Sequence, residues 1–393
     1  MTEFAIPFNR VSPVGRELEY VRQAIDRRHI SGSGPFTRDC ETLLEQELSV
    51  PRVLLTTSCT HALEMCALLL DIGPGDEVIL PSFTFVSTAN AFALRGARPV
   101  FVDVRDDTLN LDERLIARAM TRRTKAIVLV HYAGVACEME PILDAASARG
   151  IAVVEDNAHG LFGRYRGRLL GTFGALAALS FHETKNVSCG EGGALILNDR
   201  RLIERAEIIR EKGTNRSRFL RGEVDKYTWM DVGSSYVISD LLAAFLYGQL
   251  EVRATIQKRR REIFETYTRL IGEWARTRQS GAPHVPSGCE QPYHMYYVRF
   301  RDRTTRQRAI DALRALGILA VSHYVPLHLS PVGRRFGYSP GDLPVTERAS
   351  EQLLRLPFFP SLTEAEQNTI AATLIAVDDA GDLSGLQASI HNV

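Results

Sequence analysis

The feature that most constrains the fold is the alternation of short apolar runs with helical patterns over the first two-thirds of the 393-residue chain. Seven runs have the length and composition of buried strands, and stretches with a 3.6-residue period separate them. This order predicts an α/β fold with a large, mostly parallel sheet that is covered by helices on both faces. The predicted strands are Val53–Thr56, Glu77–Leu80, Pro99–Val104, Ala126–His131, Ile151–Glu155, Ala177–Phe181 and Ala194–Leu197.

The pattern changes after a long helical stretch that runs from Ser239 to Arg276. Beyond it, two strands are predicted with one helix between them. The strands are Met295–Phe300 and Ala320–Val325, and the helix is Thr304–Gly317. Such a short succession of strand, helix and strand indicates a small α+β unit.

The length of the chain predicts two domains, because a single core seldom grows beyond ~250–300 residues. We predict a large domain over residues 1–250 and a smaller α+β C-terminal domain over residues 251–393. The polar, glycine-containing tail after Ala376 is expected to fray.

Composition excludes several classes of protein. Lys plus Arg equals Asp plus Glu at 47 each, so nucleic acid is not an expected partner. The longest uncharged stretch, Val78–Leu94, is interrupted by Pro81 and too polar to span a membrane. The six cysteines form no C-x-x-C pair, which predicts reduced thiols and a cytoplasmic protein. No metal is expected, since even the closely spaced Cys59, His61 and Cys66 would not converge on a tetrahedral site.

Lys185 stands apart from the other four lysines because it follows a buried apolar run, Ala177–Phe181. The glycine-rich stretch Gly190–Gly193 comes shortly after it. This places the lysine at the carboxyl edge of the parallel sheet, where open α/β sheets bind ligands. A desolvated lysine amine loses proton affinity and can attack a carbonyl to form a Schiff base. The alternative is a structural edge lysine that extends its amine into solvent.

An acidic residue ends the strand before this lysine. The apolar run Ile151–Glu155 leads directly into Asp156. A carboxylate at this point could keep a pyridine nitrogen protonated, as pyridoxal phosphate requires to act as an electron sink. The alternative is that Asp156 caps the next helix.

A hydroxyl-rich turn follows the first predicted strand. The run Thr56–Thr60 leads from this strand into a helix, whose exposed N–H groups and hydroxyls would suit a phosphate. Ser180 could add another hydroxyl, and Phe85, which follows a different strand, could stack on a planar ring. The alternatives are ordinary helix capping for the turn and a core position for Phe85.

Together these segments resemble the DegT/DnrJ/EryC1/StrS family of pyridoxal-phosphate sugar aminotransferases, over nearly the whole chain. The resemblance is carried by Gly75–Phe92 (GDEVILPSFTFVSTANAF), Val130–Gly134 (VHYAG), Val153–Asp156 (VVED), and Ser180–Gly193, with its SFHETKN and GEGG runs. It implies the PLP-dependent transferase fold type I, pyridoxal 5'-phosphate as cofactor, and a homodimer.

Carried over residue by residue, the resemblance implies that Lys185 forms the Schiff base with the cofactor and moves the proton. Asp156 would hold the pyridine nitrogen, Phe85 would stack on the ring, and His159 would lie near its phenolic oxygen. The phosphate would be held by Cys59, Thr60 and Ser180.

Further residues are implied at the edges of the site. Ser235 occupies the place of an asparagine with which family members bind the phosphate of the neighbouring subunit. Arg216 and Arg218 lie in a polar loop and could reach a nucleotide diphosphate, although a solvated basic loop is the alternative. Tyr324 and His328 belong to a run that faces the sugar in the family.

Within the family, the likeness is greatest to members that aminate dTDP-4-keto-6-deoxy-D-glucose, in segments such as Glu207–Phe219 and Val224–Trp229. It implies L-glutamate as the amino donor and dTDP-4-amino-4,6-dideoxy-D-galactose as the product. The alternatives are another 3- or 4-keto nucleotide sugar, or a non-catalytic regulator that binds the cofactor. The family's sugar dehydratases have histidine in place of the lysine, so Lys185 argues against that branch.

Overall fold

A seven-stranded sheet forms the centre of the computed structural model, which describes residues 4–277 and 281–379. In chain order, the strands are β1 (Arg52–Thr56), β2 (Glu77–Pro81), β3 (Arg98–Val102), β4 (Thr124–Val130), β5 (Ala152–Asp156), β6 (Arg164–Tyr165), β7 (Arg168–Leu169), β8 (Leu176–Ser180), β9 (Gly193–Leu197), β10 (Cys289–Glu290), β11 (Tyr297–Arg299), β12 (Val321–Ser322) and β13 (Leu353–Arg355). The large sheet has the order β1-β9-β8-β5-β4-β2-β3, and only β9 runs antiparallel to its neighbours. The predicted α/β class and all seven predicted strands are confirmed.

Helices cover both faces of this sheet because successive strand residues point in opposite directions. Leu54 of β1 packs in one apolar cluster, whereas its neighbours Val53 and Leu55 pack in another. The helices are α1 (Glu17–Asp26), α2 (Pro35–Leu48), α3 (Cys59–Leu69), α4 (Val86–Ala93), α5 (Glu113–Ala119), α6 (Met139–Ser147), α7 (Ile203–Arg210), α8 (Arg216–Leu220), α9 (Asp240–Glu251), α10 (Arg253–Thr277), α11 (Arg303–Ala315), α12 (Pro331–Arg334), α13 (Pro344–Gln352) and α14 (Glu364–Asp379). Within the described ranges, no helix is long and apolar enough to cross a bilayer.

The predicted long helix from Ser239 to Arg276 is divided in two. Ser239 caps α9 by accepting a hydrogen bond from a backbone N–H, and Val252 leaves helical geometry between α9 and α10. The break has a packing reason, because the two helices serve different cores. Helix α9 packs with α1 and α2 against the large sheet, whereas residues such as Tyr267 of α10 pack in the cluster around the small sheet.

A three-stranded sheet with the order β11-β13-β12 lies in the C-terminal part of the chain. The two strands and the helix predicted there are present as β11, β12 and α11. The middle strand, β13, was not predicted because it contains only three residues and is followed by a leucine and a proline. It pairs antiparallel with both neighbours, so that Arg355 lies opposite Tyr297 on one side and Val321 on the other.

The division of the chain into domains 1–250 and 251–393 stays a prediction. An N-terminal residue, Ile6, pairs with Ile318 and packs in the core of the small sheet. Helix α14 continues to Asp379, beyond the start of the predicted frayed tail, and the rest of that tail lies outside the described residues.

The buried carboxylate of Glu155 fixes the chain between β5 and β8. Its two oxygens accept 2.7 Å hydrogen bonds from the backbone N–H groups of Gly171, Phe173 and Gly174. His131 Nε2 lies 2.9 Å from Oε2. Because neighbouring strand residues alternate, Glu155 holds this connection while Asp156 points to the other side of β5.

Glu155→Gln should destabilise the protein by roughly 3 kcal/mol, the upper end for a hydrogen bond to a charged group. The amide would place an NH2 donor against backbone N–H donors, leaving buried groups unsatisfied. The matched control is Glu140→Gln at an exposed ion pair with Arg166, which should cost less than about 1 kcal/mol. Urea unfolding followed by circular dichroism measures both, and equal midpoints for the two variants would contradict the anchoring role of Glu155.

Candidate active site

A cavity of about 430 Å³ opens at the carboxyl edge of the large sheet. The last residues of three adjacent parallel strands line it, namely Val130 of β4, Asp156 of β5 and Ser180 of β8. The predicted site residues Cys59, Thr60, Phe85, Asp156, His159, Ser180, Lys185 and Tyr324 all line this cavity. The volume lies within the range of small-molecule sites, about 300–1,000 Å³.

One wall is the turn between β1 and the N-terminus of α3. Ser58 caps this helix by accepting a 3.1 Å hydrogen bond from the N–H of His61. Thr60 Oγ1 lies 2.8 Å from Ser87 Oγ, so a second hydroxyl borders the same wall. At Gly193, a Cβ atom would come within 2.3 Å of the backbone nitrogen of Cys59, so only glycine allows β9 to approach this turn. Free N–H groups at a helix start and neighbouring hydroxyls suit a phosphate.

Asp156 is a buried carboxylate that faces this wall. Thr88 Oγ1 donates a 2.7 Å hydrogen bond to Oδ2, and the N–H of Ala158 donates one of 3.2 Å to Oδ1. Burial raises the pKa of Asp156, while these two hydrogen bonds and the charge of Lys185 oppose the shift. The alternative that Asp156 caps a following helix is wrong, because the element directly after β5 is the strand β6.

Lys185 follows β8 in a turn in which its N–H donates a 2.9 Å hydrogen bond to the carbonyl of His182. Burial lowers the pKa of Lys185 to about 8, because desolvation disfavours the charged ammonium. The nearby charge of Arg355 lowers it further, whereas Cys59 and Asp156 raise it. Across the described part of the chain, no carboxylate forms an ion pair with its amine. The lowered pKa makes a larger fraction of this amine neutral and nucleophilic near neutral pH than in an exposed lysine.

Two aromatic groups, Phe85 and His159, line the same cavity as Asp156 and Lys185. Phe85 is 58% exposed, so it is available to a ligand, and the alternative of a core position is wrong. His159 stacks on His294 with ring centroids 4.2 Å apart. Burial holds the pKa of His159 well below its usual range, and its Nδ1 has no hydrogen-bond partner among the described residues. A planar ligand with a polar substituent would satisfy this nitrogen.

Three predicted residues lie away from the cavity in this chain. Ser235 is exposed and pairs with Glu211 through the backbone. Arg216 also contacts Glu211, at 3.4 Å, and Arg218 contacts two surface glutamates. The predicted cross-subunit role of Ser235 and the nucleotide contacts of the two arginines stay predictions.

The structure also keeps His328 out of the cavity wall. Its ring is completely buried, with Nδ1 2.7 Å from Ser82 Oγ and Nε2 3.2 Å from Glu347 Oε1. Both nitrogens are thus occupied by the protein. The imidazole ties the loop after β2 to α13, and a direct contact with a sugar would require one of these bonds to open.

The cavity residues that the sequence analysis did not identify include His323 and Arg355. His323 stacks on Tyr324 with ring centroids 3.5 Å apart, and its position next to Tyr324 in the sequence was an available signal. Arg355 had no signal, because it belongs to the unpredicted strand β13. No group of three or more candidate metal ligands occurs in the described ranges.

These residues fit pyridoxal phosphate. The turn before α3 would hold the phosphate, Asp156 would face the pyridine nitrogen, and the Lys185 amine would meet the aldehyde. The unpartnered Nδ1 of His159 and the exposed ring of Phe85 suit an aromatic ring that carries an oxygen.

Comparison with known proteins gives relatives along almost the full chain. The spore coat polysaccharide biosynthesis protein SpsC of Bacillus subtilis is 32% identical over 362 residues, which are 90% of this chain and 92% of SpsC. The crystal structure of the aminotransferase TlmJ from Streptoalloteichus hindustanus superposes with a TM-score of 0.86 at 32% identity, over 97% of this chain and 99% of TlmJ. The structure of Spr1654 from Streptococcus pneumoniae, in its PMP form, superposes with a TM-score of 0.88 at 26% identity, over 95% of this chain and 99% of Spr1654.

The family model of the DegT/DnrJ/EryC1/StrS aminotransferases matches residues 13–375. Solved PMP and PLP forms of Spr1654 share the fold, and pyridoxal phosphate is the cofactor of the family. The predicted cofactor and the predicted fold of PLP-dependent aminotransferases are therefore confirmed. The chain belongs to the DegT/DnrJ/EryC1/StrS aminotransferase family.

Proposed function

We propose that this aminotransferase moves the amino group of L-glutamate to C4 of dTDP-4-keto-6-deoxy-D-glucose, giving dTDP-4-amino-4,6-dideoxy-D-galactose. The observation that carries the catalytic part is the Lys185 amine, which has a lowered pKa and shares one cavity with Asp156. The choice of sugar depends on the resemblance of Glu207–Phe219 and Val224–Trp229 to transaminases that make this product. SpsC is named for polysaccharide biosynthesis, and the proposed product would suit a surface polysaccharide or lipopolysaccharide.

Each side chain has a proposed task in this reaction. Lys185 would hold the cofactor through its side-chain amine, and Nζ would accept and return the proton that the amino transfer moves. Asp156, kept in place by Thr88, holds the pyridine nitrogen in its charged form. When bound, pyridoxal phosphate supplies an electron sink that stabilises negative charge on the carbon next to the amino group. Phe85 and His159 orient the ring, and the phosphate is held by Cys59, Thr60 and Ser180.

The substrate is tested with purified, cofactor-loaded enzyme, L-glutamate and a panel of 3-keto and 4-keto nucleotide sugars. Mass spectrometry and NMR of the products should show a 4-amino-4,6-dideoxygalactose on dTDP. Formation of only a 3-amino product would assign the chain to another branch of the family. Cofactor binding without any amino transfer would support the regulator alternative.

Lys185→Ala should lower turnover by at least about 10²–10⁴-fold, the contribution expected of a positioned proton-transfer group, and by more if covalent attachment is essential. The protein should keep its fold and retain the phosphate site. Lys125→Ala, at an exposed lysine near the start of β4 and outside the cavity, is the matched control and should keep wild-type turnover. Steady-state assays compare the two, and full turnover by Lys185→Ala would refute its role.

We infer a homodimer, supported by a group of exposed apolar side chains near Ser235. Trp229 is 76% exposed, and further large apolar residues of this group are Leu220, Met230 and Val232. Several large apolar side chains exposed within one stretch of the chain are typical of an interface. Contact with a second chain would also bring Ser235 towards a neighbouring cavity, as the resemblance implies.

Trp229→Glu should weaken the homodimer, because a carboxylate would be buried at an apolar interface. Ala372→Glu, on the exposed face of α14, adds the same charge and should leave the dimer intact. Sedimentation equilibrium measures both variants and the wild type. A wild-type monomer at all concentrations would exclude the dimer.

We place the enzyme in the cytoplasm. All six cysteines are unpaired, which fits a compartment that keeps thiols reduced.

The proposed partners are the nucleotide sugar and L-glutamate.

A further inference from the structure

The ring of His159 is held against a second imidazole that comes from a distant part of the chain. His294 stacks on it with ring centroids 4.2 Å apart and ring planes 20° from parallel. Tyr132 contacts His159 edge-on, with centroids 6.0 Å apart. His294 is buried and belongs to the segment between β10 and β11. The orientation that His159 presents to a ligand therefore depends on this segment.

The segment that carries His294 packs closely against the loops of the large sheet. A Cβ atom at Gly134 would lie 2.6 Å from Pro292 Cδ and 2.8 Å from the carbonyl oxygen of His159, so only glycine permits this approach. Arg260 of α10 also holds the backbone of the segment by donating to two of its carbonyls, at 2.9 and 2.5 Å. The ring of His294 is thus attached to a fixed backbone.

One hydrogen bond fixes the tautomer of His294 and connects it to the lysine turn. Its Nδ1 lies 2.9 Å from Oδ1 of Asn186, the residue directly after Lys185. The amide of Asn186 has a defined orientation, because its Nδ2 donates to the carbonyl of Pro292 at 2.6 Å. Since Oδ1 can only accept a hydrogen bond, the ring proton of His294 is on Nδ1. One ring therefore contacts both His159 and the turn that carries Lys185.

The surroundings of His294 keep its ring neutral. Burial holds the pKa of His294 well below its usual range, and positive charge on His159, Lys185 and Arg260 lowers it further. A neutral ring adds no charge to the site. It supplies a flat surface to His159 and a single donor to Asn186. A phenylalanine could supply the surface but not the hydrogen bond.

We propose that His294 is a positioning residue that keeps His159 and the Lys185 turn in one fixed arrangement around the cofactor. This inference rests on the proposed function, because it uses the place of His159 beside the cofactor ring in that reaction. His294 acts through its two neighbours. Loss of its ring should therefore be detectable in the bound cofactor before any substrate is added.

The test uses the holoenzyme without substrate. His294→Ala removes the stacked ring, and it should raise the dissociation constant of pyridoxal phosphate by about 10-fold, the effect of losing a hydrogen bond to a charged group. It should also change the visible circular dichroism of the bound cofactor, which reports the orientation of the cofactor ring. His294→Phe keeps the stacking surface and should lie between His294→Ala and the wild type. Wild-type affinity and dichroism in His294→Ala would overturn the proposal.

Asn186→Ala keeps the proposal testable if His294→Ala does not fold. It removes the partner of Nδ1 and leaves the two stacked rings in place. The dissociation constant of pyridoxal phosphate should rise by about 2- to 10-fold, the effect of losing a neutral hydrogen bond. The visible dichroism should change in the same direction as in His294→Phe. An Asn186→Ala variant with the affinity and the spectrum of the wild type would refute the connection.

The matched control is His284→Ala, at an exposed histidine shortly before β10. It should keep the cofactor affinity and the dichroism of the wild type. Since these measurements contain no sugar, a wrong choice of sugar would leave their result intact.

His159→Ala separates this inference from the proposed function. If His159→Ala weakens cofactor binding while His294→Ala does not, only the role of His294 is wrong. If neither variant changes the affinity or the dichroism, the proposed task of His159 is wrong as well.

Discussion

Strands β4, β5 and β8 pair in parallel, so their carboxyl ends lie side by side at one edge of the large sheet. The active site depends on this arrangement of the three strand ends. Residues 130, 156 and 180 are far apart in the chain, yet they border one cavity. Glu155 stabilises this arrangement by holding the connection to β8, and the alternation of strand residues turns Asp156 toward the cavity. Glu155, which stabilises the fold, and Asp156, which belongs to the active site, are therefore adjacent residues of the same strand.

The charges of the cavity explain its choice of ligand. Lys185 and Arg355 are two basic groups on its wall, and Asp156 is a buried carboxylate that lines the same cavity. Burial lowers the pKa of Lys185 and raises that of Asp156, so each charge is costly until a ligand compensates it. A cofactor with an anionic phosphate and a basic ring nitrogen supplies that compensation.

Local patterns were sufficient to predict the large sheet and the residues that follow its strands. Asp156 was found because it comes directly after an apolar run of the right length, and Lys185 because it follows another such run after a short turn. The three-residue strand β13 has no periodicity to detect, so Arg355 was missed. The break at Val252 was missed for another reason, since only the packing of α9 and α10 against different cores requires it. The positions of Ser235 and His328 depend on long-range contacts that no local pattern encodes.

The attachment of the cofactor to Lys185 is tested most directly by borohydride reduction of the holoenzyme, followed by peptide mass mapping. We predict that the peptide containing Lys185 carries the mass of a reduced pyridoxyl phosphate group. The peptides that contain the other four lysines should be unmodified. An unmodified Lys185 peptide from cofactor-saturated protein would contradict the assignment of this residue.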